Sequence, residues 1–258
     1  MADAPAADFS LAPLPAVVRR VLFFVAMEHE AAPIADALGL ARMGDARMGD
    51  ARMGRVAGAE VTLATPGVDA ATKVDRIGPV HASAALARML ALAREPFDLV
   101  VNAGTAGGFE AQGQRIADLV VARDAMFHDA RVAIDGFDRV ARAHTRLSAD
   151  EATLARMAAT LGARAGLVST GSSLDATADE LAAFARSGAL AKEMELAALA
   201  IVCRLHDTPL VALKGVTDLV DHHEPTHAAF LRNLERTAAR VASASGPMLE
   251  SMCGRVDG

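Results

Sequence analysis

KEMELAALAIVCRLHDTPLVALKGVTDLVD, residues 192 to 221, sets a helix and then a strand side by side. The apolar residues from Ala197 to Ile201 predict a helix over 195–206, and Pro209, which cannot continue one, precedes the run Leu210 to Leu213, which predicts a buried strand. Acids mark both elements. Glu195 follows the short apolar run Ala189 to Ala191, and Asp218 follows the strand. Ligands bind at the carboxyl ends of parallel strands, so acids placed there are candidates for chemistry.

Outward from this unit the same alternation continues. Strands are predicted over 17–26, 60–65, 98–103, 119–122 and 166–169, and helices over 28–40, 78–93, 178–187 and 226–245. In the 78–93 segment Ala82, Leu86, Met89 and Leu90 form one stripe. Interleaved strands and helices predict an α/β fold with a parallel or mixed sheet flanked by helices. Nothing divides it, so residues 17–258 are expected to form one domain, preceded by a loose arm over residues 1–16 that carries three prolines. Between 41 and 54 the motif Ala-Arg-Met-Gly-Asp recurs almost unchanged. Its period is too short for a solenoid, and a surface hairpin or loop expanded by duplication is expected.

The chain has 258 residues, 52% hydrophobic and 22% charged, which suits one large core. A net charge of −6 without any block of Lys or Arg argues against nucleic acid or an anionic membrane surface as partner. Cys203 and Cys253 give no disulfide framework, Cys203 lying within an apolar helical pattern, and a cytoplasmic setting is expected. The N-terminus lacks the pattern of a secretory signal, and the run Val21 to Met27 is too short to span a bilayer.

Several segments carry polar chemistry at strand ends. Asn102-Ala-Gly-Thr-Ala-Gly-Gly108 follows a strand, where bare backbone can approach a ligand; a tight structural turn is the competing explanation. Its glycine spacing fits neither a dinucleotide fingerprint nor a Walker loop. Ala26-Met27-Glu28-His29-Glu30 closes the first strand, although acids in a first helical turn are favoured by the macrodipole alone. Ser169-Thr-Gly-Ser-Ser-Leu174-Asp175 reads as a turn and lacks the glycines of a nucleophile elbow. His128, His222, His223 and His227 lack the spacing that would make a metal site specific, so no metal is expected.

Taken in order, the segments 26–30, 102–108, Phe127-His128-Asp129, Ser169-Thr170-Gly171, Glu193-Met194-Glu195 and Thr217-Asp218-Leu219-Val220-Asp221 resemble the 5'-methylthioadenosine/S-adenosylhomocysteine nucleosidases, most closely the plant-type branch. The resemblance runs from about Val21 to Arg240. It implies a nucleoside phosphorylase-like three-layer α/β/α sandwich with a mixed central sheet, usually a homodimer, that hydrolyses the N-glycosidic bond of its nucleoside without a cofactor. By position, Glu30 corresponds to the residue that activates water, Asp218 to the acid serving adenine N7, and Glu195 to the ligand of the ribose hydroxyls. The resemblance further implies that Met27, Thr105, Ala106, Gly107, Met194 and Phe230 line the substrate site. It sets Leu174 against adenine, and Ile77, Val132 and Phe137 near the alkylthio group, the last two donated by a neighbouring subunit. Leu196 departs from the family, which carries a small residue after Met-Glu, and Ser172 replaces a common acid.

The residue types suit the chemistry. Breaking a ribosyl C–N bond passes through an oxocarbenium-like state, so the purine leaves with a proton and water meets the sugar. Two alternatives compete: a nucleoside phosphorylase and a non-catalytic nucleoside-binding protein. Related phosphorylases place arginines at the positions of Glu30 and Asn102, where a carboxylate and a neutral amide are poor partners for phosphate. The acids Glu30, Glu195 and Asp218 argue against a protein that only binds.

Overall fold

The computed structural model describes residues 9–43, 50–137 and 143–253. Along the chain run β1 (Arg20–Phe24), α1 (Glu28–Ala37), β2 (Ala41–Arg42), β3 (Arg52–Val56), β4 (Ala59–Ala64), α2 (Pro79–Leu92), β5 (Leu99–Gly108) and β6 (Leu119–Phe127). Then follow β7 (Thr145–Arg146), α3 (Glu151–Leu161), β8 (Arg164–Thr170), α4 (Ala178–Ser187), β9 (Ala191–Glu193), α5 (Leu196–Leu205), β10 (Leu210–Leu219) and α6 (Thr226–Cys253).

All strands join one mixed sheet. β5 is its hinge: it pairs in parallel with β1 and β10 and antiparallel with β9. Because β10 also pairs with β6, β6 with β8 and β8 with β9, five strands close into a ring, from which β1, β4, β3 and β2 extend as an open wing. Strand alternation sends neighbouring side chains to opposite faces. Val21 and Phe23 of β1 enter the core under α1, α3 and α6, while Leu22 and Phe24 enter the core under α2 and α5. The result is the expected α/β architecture, a mixed sheet with helices on both sides.

Several elements differ from the sequence expectations. The Gly-rich segment 102–108 is not a turn but the last seven residues of β5, paired along its length with β10. Its glycines serve close approach: a Cβ on Gly107 would lie 2.4 Å from Val220 Cγ2, and one on Gly108 2.8 Å from Val216 Cγ1. β10 runs six residues past Leu213 because the charge of Lys214 is buried rather than strand-ending. β6 continues past Ala122 through a register shift at Arg123. α6 continues past Gly246-Pro247 because Met248 and Leu249 are buried in the core. α3 was not foreseen, although Asp150 caps it by accepting from Thr153 N and Leu154, Met157 and Leu161 are buried.

The stretch expected as a loose arm is held before residue 16. Leu11 is buried, its N–H donates to Arg146 O, and Leu14 N donates to Ser148 O; residues 1–8 lie outside the described residues. The ends of the repeat segment do form a hairpin-like ladder, β2 against β3, with 44–49 outside the described residues.

Candidate active site

The carboxyl ends of β1, β5 and β10, with β9 and the start of α5, surround a cavity of about 180 Å³. Eleven of the residues expected from the sequence line it: Met27, Glu30, Ile77, Thr105, Ala106, Gly107, Leu174, Met194, Glu195, Asp218 and Phe230. Val132 and Phe137 do not. They stand 38% and 64% exposed beyond the end of β6, outside the cavity of their own chain.

Glu30 sits in the first turn of α1, 3% exposed. Thr105 N and Thr105 Oγ1 both donate to its Oε1, at 2.7 and 2.6 Å. Gly104 leaves the room for this, since a Cβ there would stand 3.1 Å from Glu30 Oε2. Burial raises the pKa of Glu30, and the Thr105 hydrogen bonds and the Lys214 charge only partly offset it.

Glu195 occupies the N-cap position of α5 without a side-chain capping bond, and its Oε1 accepts from Gly78 N at 2.8 Å. Burial first, then the Glu193 charge, push its pKa up to about 7, against the pull of Lys214 and the Gly78 hydrogen bond. Between these acids lies Lys214, 2% exposed, whose Nζ donates to Glu193 Oε2 at 2.9 Å. Burial opposes its charge, yet the carboxylates of Glu193, Glu195 and Glu30 outweigh that and raise its pKa. Glu193 also accepts from Thr170 Oγ1 and from the main-chain N–H groups of Glu195 and Leu196. It is therefore a structural acid that anchors the turn from β9 into α5. Those bonds hold the backbone at Leu196, whose side chain is fully buried in the core under α2 and α5.

Asp218 enters the cavity through an irregularity in β10. Val216 pairs with Ala106 and Asp218 with Gly107, so Thr217 is the extra residue of a bulge that re-aims the strand's side chains. Thr217 Oγ1 donates to Asp218 Oδ1 at 2.8 Å, while Oδ2 is buried without a partner among the described residues. Burial raises the pKa of Asp218, with the Thr217 hydrogen bond and the Lys192 charge acting against it. Lys192 Nζ donates to Ser173 O and, at 3.0 Å, to Leu174 O, tying the loop that carries Leu174 to β9.

Lys192, Lys214 and Gly78 had no role in the sequence reading. Lys214 left a signal, a cation inside an apolar strand run, whereas the pairing of Gly78 with Glu195 spans 117 positions and leaves none. Asp221 accepts from Glu110 N and Ala111 N and so braces the turn after β5. Ser172 N donates to Asp129 Oδ2, which holds the loop that carries Leu174 without an acid at 172.

The chain belongs to the phosphorylase superfamily, whose family model matches residues 20–250. It is 33% identical over 244 residues to a 5'-methylthioadenosine nucleosidase of Arabidopsis thaliana, covering 92% of this chain and 89% of that protein. A 5'-methylthioadenosine/S-adenosylhomocysteine nucleosidase of the same plant is 30% identical over 243 residues, covering 92% and 93%. Among solved structures, the apo form of Arabidopsis thaliana 5'-methylthioadenosine nucleosidase matches with a TM-score of 0.85 at 32% identity, covering 93% of this chain and 98% of that one. The Neisseria meningitidis 5'-methylthioadenosine/S-adenosylhomocysteine nucleosidase in complex with methylthio-immucillin-A matches with a TM-score of 0.74 at 25% identity, covering 91% and 100%. The family anticipated from the motifs is the one these relatives represent.

Proposed function

We propose that this protein is an N-glycosyl hydrolase that cleaves 5'-methylthioadenosine to adenine and methylthioribose, with S-adenosylhomocysteine as the second substrate of its class. The observation that carries this reading is Asp218: a buried carboxyl group with a raised pKa and one oxygen unpartnered among the described residues, in a cavity that also holds Glu30 and Glu195. Burial favours the protonated form of such a group, and the proton it holds can pass to adenine N7 as the C–N bond breaks. Glu30, whose Oε1 is saturated by Thr105, keeps Oε2 for a water. Glu195 keeps one oxygen beyond its bond to Gly78 for the ribose hydroxyls.

Phosphate is poorly served as the nucleophile. Among the described residues no guanidinium lines the cavity, Lys214 is paired with Glu193, and Lys192 is turned to main-chain carbonyls. Adenine release from methylthioadenosine, S-adenosylhomocysteine and inosine, each with and without phosphate, tests the reading. Release from the methylthio nucleoside without phosphate is expected, and strict phosphate dependence would overturn it.

The working form proposed is a homodimer in which Val132 and Phe137 of one protomer close the alkylthio side of its partner's cavity. Their exposure, together with that of Ile134, supports this. Sedimentation should show a dimer, and Phe137→Ala should raise KM for methylthioadenosine more than it lowers kcat. A monomer with full activity would sink this arrangement.

A further inference from the structure

Asn102 lines the cavity at the level of Glu30 and is 1% exposed. Its Nδ2 donates to Phe24 O at 3.1 Å, which fixes the amide: flipping it would set two oxygens against each other. The orientation that satisfies Phe24 leaves Oδ1 buried with no hydrogen-bond partner among the described residues. A buried acceptor left empty costs stability, and an apolar residue of similar size would avoid that cost. Positions 102 and 104 of β5 face the same way, and Gly104 is where the Glu30 carboxylate rests. Lys214 pairs in register with Gly104, so Asn102, Glu30 and Lys214 converge on one side of β5.

A water attacking the sugar has two O–H bonds. One proton passes to Glu30 as the oxygen joins C1', the C–N electron pair leaves with adenine, and Asp218 supplies the proton adenine takes up. The second O–H survives as the new anomeric hydroxyl and needs an acceptor that aims the oxygen lone pair at C1'. We propose that Asn102 Oδ1 is that acceptor and so selects a nucleophile with two O–H bonds, water, over one with a single O–H bond. This rests on the hydrolase reading above.

Methanol tests it, because methanol can satisfy Glu30 but has no second proton for Asn102. Methylthioadenosine is turned over in water–methanol mixtures by wild type, Asn102→Leu and Asn102→Ala, and the ratio of methyl thioriboside to free methylthioribose is measured alongside kcat, KM and adenine affinity. Loss of one hydrogen bond at the reacting water is expected to lower hydrolytic kcat by ~10–100-fold, with KM and adenine affinity changed less than about threefold. The methanol-to-water product ratio should rise by about tenfold in both variants. A fall in kcat with an unchanged ratio, unchanged kcat, or loss of adenine binding in both variants would show the amide to be a support for β5 and overturn the proposal. Absence of adenine release by the wild type would instead refute the hydrolase reading itself.

Discussion

Lys214 Nζ lies 2.9 Å from Glu193 Oε2, and both side chains are almost wholly removed from solvent, at 3% and 2% exposure. Lys214 faces three acids, its partner Glu193 together with Glu195 and Glu30, whose charges all act on it. Removing the cation alone leaves Glu193 buried without its counter-charge. Lys214→Met is therefore expected to cost about 3–5 kcal/mol of stability, read as a lowered denaturation midpoint. Adding Glu193→Gln should recover part of the loss, and additive losses would show that the two side chains do not act as a pair.

Asp218 carries the proposed acid step. Asp218→Asn retains the shape and the Thr217 contact but has no proton to give, so kcat should fall by ~10²–10⁴-fold with a smaller change in KM. A loss below tenfold would remove Asp218 from that role. Burial raises its pKa, so the alkaline limb of the wild-type activity profile should lie above the pH range in which an ordinary aspartate loses its proton.

Glu195 and Asp218 were legible in the sequence from their place at strand ends, Glu30 only through the family resemblance, and all three line the cavity. The alternation of apolar runs likewise gave the layers. What escaped was the extent of strands that carry polar residues or glycines: β5 passes through Gly104, Gly107 and Gly108, and β10 through Lys214. Local composition reads those as breaks, whereas the partner strand and the buried acids decide otherwise. The closure of the ring by β10 against β5 also joins residues more than a hundred positions apart, beyond the reach of any periodicity.

Glu195 makes stability depend on pH. Its folded pKa of about 7 lies above the ordinary value of 4.5, so the native state holds the proton more tightly than the unfolded chain. Its stabilising contribution is full below the ordinary value and is lost as pH rises to about 7. Glu195→Gln removes this titration and can still accept from Gly78 N. Melting temperatures measured from pH 4.5 to 8 should fall more steeply for wild type than for the variant, and parallel curves would contradict the shift.

Gly107 is the point where β5 approaches the acid. A methyl group there would lie 2.7 Å from Asp218 Oδ2 as well as 2.4 Å from Val220 Cγ2, so Gly107→Ala must push the carboxyl group aside. Displacement of a reacting group by about 1 Å can cost ~10²-fold in rate. A fall of that order in kcat for methylthioadenosine, with native circular dichroism, is the expected result. Near-normal kcat would mean that Asp218 need not stand where Gly107 lets it.

Leu196 departs from the small residue usual in the family, yet its side chain fills the core between α2 and α5 while its N–H is held by Glu193. The departure is thus compensated in packing rather than at the site. Leu196→Ala, which returns the position to the usual size, should create a cavity and lower stability by about 2–5 kcal/mol. Because the Glu193 bonds are made by main chain, Glu195 should keep its place and KM should change little. A large rise in KM with unaltered stability would show instead that the leucine shapes the sugar site directly.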